Sequence, residues 1–292
     1  MERNNFTGRI IAALMIALVA WLMYMGQVEK NPVTGEKQHV SLSPDQEIRL
    51  GLESAPEMSK EMGGELPSSD PRTQEVEKMG NYLVEKSKAS DSPWKFKFHL
   101  VNDPETINAF ALPGGQIFIT LGLYNKLQNE AQLAGVLGHE MGHVIERHTA
   151  QQMAKSQLGQ ALVVAVGAAA SDPQNPSSGY TPAMIASFVN QMFQLRYSRH
   201  DESESDVWGL IIMSDAGFNP VQMIKVMEIL KEAGGRGHSA EIFQTHPNPD
   251  LRIKHIKAYL NEHPPRSGLS DGKVLNHNGK ENSNGIFDSL WQ

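Results

Sequence analysis

The sequence predicts an α+β, mostly helical domain with a small β-sheet, preceded by one N-terminal membrane-anchor helix. Three observations carry this. An uncharged apolar run extends from Ile10 to Met25. Behind Ser-Pro, Asp-Pro, Thr-Pro and Asn-Pro starts, apolar residues recur at three- and four-residue intervals, the spacing of one buried helix face. Period-two alternation is confined to the stretch between Lys95 and Thr120, around the turn signature Pro113-Gly114-Gly115.

Arg3 and Arg9 precede the apolar run, and Gly26, Gln27, Glu29 and Lys30 follow it. The run is close to the ~20 residues of a spanning helix. After Ala20 it continues Trp-Leu-Met-Tyr-Met rather than ending at small residues, so residues 1–28 are expected to stay as an uncleaved anchor. Lys30 and Lys37 nearly balance the two preceding arginines, and the free amino terminus tips the remainder outside the cytoplasm, at the periplasmic face of a bacterial inner membrane. Residues 29–42 carry Pro, Gly and mixed charge without period and read as a linker.

The folded domain is expected over 43–262. Ser43-Pro44-Asp45-Gln46 is a capping box with proline at the first helical position, and Ile48, Leu52 and Ala55 mark an apolar face. Asp70-Pro71 opens a second helix, with Val76, Met79 and Leu83 in one stripe. Strands follow at Lys95–Leu100, with Phe96, Phe98 and Leu100 facing a core, then at Ile107–Leu112 and Gln116–Thr120. From Asn129 to about Gln157 the spacing predicts one continuous helix. Leu158–Ala170 reads as a buried helix, and Ser171–Tyr180 as a mobile lid. Thr181-Pro182 starts a helix running to about Gly217, Asn219-Pro220 caps the next, and Asn248-Pro249 the last. The polar tail at 263–292 is expected to be disordered or to dock weakly.

Among 292 residues there are 26 Lys plus Arg, 33 Asp plus Glu, and no cysteine. A net charge of −7 without a basic run argues against nucleic acid as a partner. Without thiols, any metal must be held by His, Asp or Glu.

His139-Glu140-Met141-Gly142-His143 is an HExxH motif inside the long helical stretch. Four residues turn a helix by about 400°, so both imidazoles leave one face and can meet a single metal ion. Glu140 lies beside that ion, placed to take a proton from bound water as the water attacks a carbonyl. A catalytic zinc site needs a third protein ligand. Glu146 lies about 10 Å along the axis from His139 and reads as a polar helix residue. His148, rotated by about 140° from His143, leaves the metal face. The candidates for the third ligand lie in Ser198–Asp206.

Taken together, Asn108–Gly115, the HExxH, Ser198-Arg199-x-x-Glu202-x-x-x-Asp206 and Thr245-His246-Pro247 with Arg252 resemble metallopeptidase family forty-eight. These are the minigluzincins, with HtpX-type, Oma-type, BepA/LoiP-like and type I CAAX prenyl endopeptidase branches. The resemblance implies a zincin-like fold, one Zn2+ per chain, and hydrolysis of protein or peptide substrates in envelope quality control. It implies Glu202 as the third ligand and Asp206 as the acceptor orienting a ligand histidine. It also implies that Asn108, Ala109, Phe110 and Ala111 form an edge strand beside the metal that receives extended substrate by β-addition. By the same resemblance His246 approaches the active site, either to stabilise an oxyanion or to occupy the open metal position in a latent state. Arg199, three residues before Glu202, either steadies the carboxylates or forms a surface ion pair, and Glu204, pointing away, reads as a surface charge. The rival reading is a latent or chaperone-like binding module whose metal site is closed by His246.

Overall fold

The computed structural model describes residues 3–167, 182–193, 196–235, 242–247 and 249–279. Helix α1 (Arg3–Gly26) leads into a two-stranded antiparallel ribbon, β1 (Val28–Lys30) and β2 (Lys37–His39). Helices α2 (Pro44–Glu61) and α3 (Pro71–Lys86) follow, then strands β3 (Lys97–Val101), β4 (Ala109–Leu112) and β5 (Gln116–Thr120). The short α4 (Leu121–Tyr124) precedes α5 (Glu130–Ile145), α6 (His148–Gly167), α7 (Pro182–Phe193), α8 (Arg199–Asp215) and α9 (Gln222–Gly235). The single turn α10 (Ile242–Thr245) and α11 (Pro249–Glu262) complete the helices.

The caps read from sequence operate as such. Ser43 Oγ accepts from Gln46 N while Gln46 Oε1 accepts from Ser43 N, and Asp70 accepts from Arg72 N. Strand order is β3-β5-β4, with β3 parallel and β4 antiparallel to β5, so β4 is an outer strand. Phe98 and Leu100 enter the main core with α3, α5, α8 and α9. The opposite sheet face is also covered, since Val101, Phe110 and Phe118 join a second cluster with Leu50 and Met58 of α2 and Val189 and Met192 of α7. The alternation at 95–97 separates core from solvent, with Lys95 and Lys97 exposed, whereas from His99 onward both faces are buried. Gly114, at φ 76°, sits where a Cβ would lie 2.3 Å from Ile48 Cα, and this lets α2 lie flat on the turn between β4 and β5.

Four expectations change. The helix forecast over 129–157 breaks at Glu146-Arg147, because Arg147 adopts a left-handed φ of 58°. That conformation costs a non-glycine residue about 1–2 kcal/mol. Its side chain holds it there: the buried guanidinium contacts Glu47 at 2.7 Å, Glu29 at 2.9 Å and Leu42 O at 2.6 Å. The helix forecast over 181–217 is two helices, because Ser198 starts α8 with its own capping box to Asp201.

Residues 29–42 are no bare linker. Asn31 Nδ2 donates to Ile145 O (2.7 Å) and Gln38 Nε2 to Glu146 O (3.1 Å), so the ribbon satisfies carbonyls left free at the end of α5. The tail is ordered as far as residue 279. Glu130 N and Ala131 N at the start of α5 donate to Lys273 O and Asp271 O, which satisfies amides the helix cannot pair. The expected lid at 171–180, and residues 280–292, lie outside the described residues. α1 packs along α6. Among the described residues no helix is long and apolar enough to cross a membrane.

Candidate metal centre

The centre forms where α5 crosses α8. Gly138, Gly142 and Gly209 occupy the crossing, and a Cβ on Gly142 would lie 2.9 Å from Ser205 Cα, so only glycine permits this approach. Asn129 caps α5 and carries His139, Glu140 and His143 inward. Ser198 caps α8 and turns Glu202 and Asp206 toward them. His246 follows α10, its N–H bonded to Ile242 O at 2.6 Å.

His139 Nε2 lies 3.1 Å from His143 Nε2 and 3.3 Å from His246 Nδ1. Glu202 Oε1 lies 3.5 Å from His143 Nε2 and 2.9 Å from His246 Nδ1. One donor atom from each residue fits within 4.8 Å of the other three, and all four residues are buried. A tetrahedral ion with bonds of about 2.0–2.1 Å separates its donors by about 3.3 Å, so this set fits zinc. An imidazole-carboxylate set also suits its borderline softness.

Around the donors, Asp206 Oδ1 faces His139 Nδ1 at 3.0 Å, which aims the other ring nitrogen at the cluster. Arg252 of α11 bridges both carboxylates, with Nε 2.9 Å from Asp206 Oδ2 and Nη1 2.7 Å from Glu202 Oε2. His143 is stacked on the Tyr197 ring at 3.9 Å, and its Nδ1 meets His148 Nδ1 at 2.9 Å. Glu140 Oε1 lies 3.7 Å from His246 Nε2, while Glu140 Oε2 and His246 Nε2 have no hydrogen-bond partner among the described residues.

The electrostatics sort the roles. Burial raises the Glu140 pKa, and the neighbouring histidines offset this only in part. Burial works against an ionised Glu202, but His246 and Arg252 outweigh it and hold that carboxyl well below the usual range. Burial likewise lowers His143 well below the imidazole range, leaving it neutral and able to ligate. His246 is raised, because Glu202 and Glu140 outweigh its burial.

Of the residues read from sequence, His139, Glu140, His143, Glu202, Asp206 and His246 come together. Asn108, Ala109, Phe110 and Ala111 lie at the outer strand, all buried, with β4 packed on α5. Arg199 does not join them. At the first position of α8 its side chain is exposed at the margin of the molecule, and the guanidinium on the carboxylates is that of Arg252. Sequence reasoning gave Arg252 no role and passed over Tyr197. It sent His148 away from the metal and Glu204 into solvent, yet their side chains meet at 3.2 Å and His148 is buried. His148 is no member of the ligand cluster, as read, but it packs behind His143 because α5 and α6 are separate helices.

Residues 70–260 match the model of peptidase family M48. The mitochondrial metalloendopeptidase OMA1 of Schizosaccharomyces pombe is 31% identical over 250 residues, covering 85% of this chain and 71% of that protein. OMA1 of Saccharomyces cerevisiae is 30% identical, over 82% of this chain and 71% of its own length. The beta-barrel assembly-enhancing protease of Escherichia coli is 29% identical over 90% of this chain, which spans only 53% of it. With the family model matched over most of its length, and that match covering both helices of the metal centre, the chain belongs to peptidase family M48, the zinc-dependent metallopeptidases.

Proposed function

We propose that the chain is a zinc metalloendopeptidase acting on extended or misfolded proteins, held by α1 at the outer face of a bacterial inner membrane and serving envelope protein quality control. The observation that carries it is the tetrahedral spacing of the donor atoms with the unpaired Glu140 oxygen beside them. His139, His143 and Glu202 hold the ion. Bound zinc supplies Lewis acidity and lowers the pKa of a water molecule. Glu140, its pKa raised by burial, takes the proton at a carboxylate oxygen and returns it to the leaving amine. Asp206 and Arg252 keep His139 and Glu202 aimed, and β4 offers an outer strand for main-chain pairing with substrate.

The membrane reading is supported by bulky apolar side chains left exposed along α1, with Leu14 at 65% and Met23 at 63%. Digestion of the domain by protease added to intact spheroplasts supports this orientation, and resistance refutes it. The quality-control reading is supported by the similarity to the beta-barrel assembly-enhancing protease.

Metal content and casein cleavage by the full-length protein test the chemistry. Wild type and Glu140→Gln should both carry one zinc, while cleavage by the variant falls by about 10²–10⁴-fold. Absence of metal from both overturns the reading.

A second reading concerns state rather than class. His246 supplies a fourth protein donor, and His139, Glu140, His143, Glu202 and β4 are all buried, which describes a latent enzyme. His246→Ala then raises casein cleavage; a fall assigns His246 to the oxyanion instead.

A further inference from the structure

We infer that His148 is a positioning residue for the metal centre: its Nδ1 accepts the proton of His143 Nδ1, and its own Nε2–H donates to Glu204, which fixes the tautomer in which His143 presents Nε2 to the metal. This rests on the reading of His143 as a ligand.

A neutral imidazole carries one N–H and one bare nitrogen. Two Nδ1 atoms face each other at 2.9 Å, so one donates and the other accepts. His143 Nε2 points into the donor cluster, 3.1 Å from His139 Nε2, and a ligating nitrogen has no proton. The His143 proton is therefore on Nδ1, and His148 Nδ1 is bare. The His148 proton is then on Nε2, where Glu204 Oε2 waits at 3.2 Å. Every hydrogen bond in the row has a donor and an acceptor only in this arrangement. Ser205 Oγ also reaches the bare nitrogen, at 3.3 Å, and His200 Nδ1 meets the same Glu204 oxygen at 2.9 Å, anchoring the outer end.

The pair of ligand histidines is thereby oriented in two ways. His139 leans on a carboxylate, Asp206, and His143 on a second imidazole. His148 reaches that position because the Arg147 turn breaks the helix. The same proton positions leave no room for a second cation at this corner. His148, Asp201 and Glu204 have donor atoms within 4.8 Å of one another, as a second cation would require, but His148 Nε2 bears the proton that a cation would have to displace.

The test uses the full-length chain in detergent micelles, titrated with zinc against a chelating dye, together with nitrogen NMR of 15N-histidine protein. His148→Phe should raise the zinc dissociation constant by about 10–100-fold, the usual cost of removing a partner of a metal ligand. His148→Asn, whose Oδ1 takes the place of the ring Nδ1, should return it toward the wild-type value. Zinc-loaded wild type should show His143 protonated at Nδ1, and this signature, with His148→Asn, decides the matter if His148→Phe does not fold. Wild-type affinity in His148→Phe, or a proton on His143 Nε2, overturns the inference. So does a second zinc per chain that His148→Phe abolishes. A wild type that binds no zinc fails the ligand reading itself, and the inference with it, whereas a wild type that binds while the variants match it fails the inference alone.

Discussion

Two buried arginines each hold two carboxylates, and the two clusters end differently. Arg252 bridges Glu202 and Asp206 beside three histidines, and close by, Glu140 Oε2 and His246 Nε2 are left without hydrogen-bond partners. Arg147 bridges Glu47 and Glu29, adds Leu42 O and lies over the Trp94 ring, and every polar atom of its guanidinium has a use. In the first cluster the unpaired atoms sit beside four residues whose donor atoms can meet one ion, so an ion and a reacting group belong there, whereas the Arg147 guanidinium is fully used in holding the fold. Charge density alone does not distinguish the two.

Arg252→Met strands two buried carboxylates, so unfolding free energy should fall by about 5 kcal/mol, and zinc binding should weaken with it. Arg147→Ala strands Glu47 and should cost about 3–5 kcal/mol in the same denaturant titration. In its folded fraction one zinc per chain should remain; loss of the metal there would show that the second cluster belongs to the site.

Glu47 gives the finest test. Burial raises its pKa to about 7 against the pull of Arg147. The folded state thus holds a proton that the unfolded chain releases above the ordinary carboxyl value of 4.5. The contribution is fully present below that value and is lost as pH rises through about 7. Wild type should lose up to about 3 kcal/mol more than Glu47→Gln between pH 4.5 and pH 8. Equal slopes would mean that Arg147 keeps Glu47 ionised throughout.

The parts legible in sequence are those that local rules decide. Ser43 and Asp70 cap helices because their side chains reach amides two or three residues on, and His139 and His143 share a face because four residues make about one turn. The Arg147 turn obeys no local rule, since arginine has no affinity for a left-handed backbone and is held there by Glu29, Leu42 and Glu47, more than 90 positions away. The place of His148 behind His143 was missed for the same reason. The order of the tail was missed because composition measures the ability to build a core, whereas residues 270–275 dock through backbone carbonyls, one buried leucine, Leu275, and the Asp271 carboxylate.

The caps at the two ends of α5 bear on where this molecule can be cut. The family match spans 70–260, yet the groups that close the metal helix come from Asn31 and Gln38 at one end and from Asp271 and Lys273 at the other. A fragment trimmed to the match would expose the first amides and last carbonyls of the helix that carries both histidines, and would remove Glu29 and Glu47 from Arg147. A fragment cut at the limits of the match should therefore unfold more readily than the full-length chain.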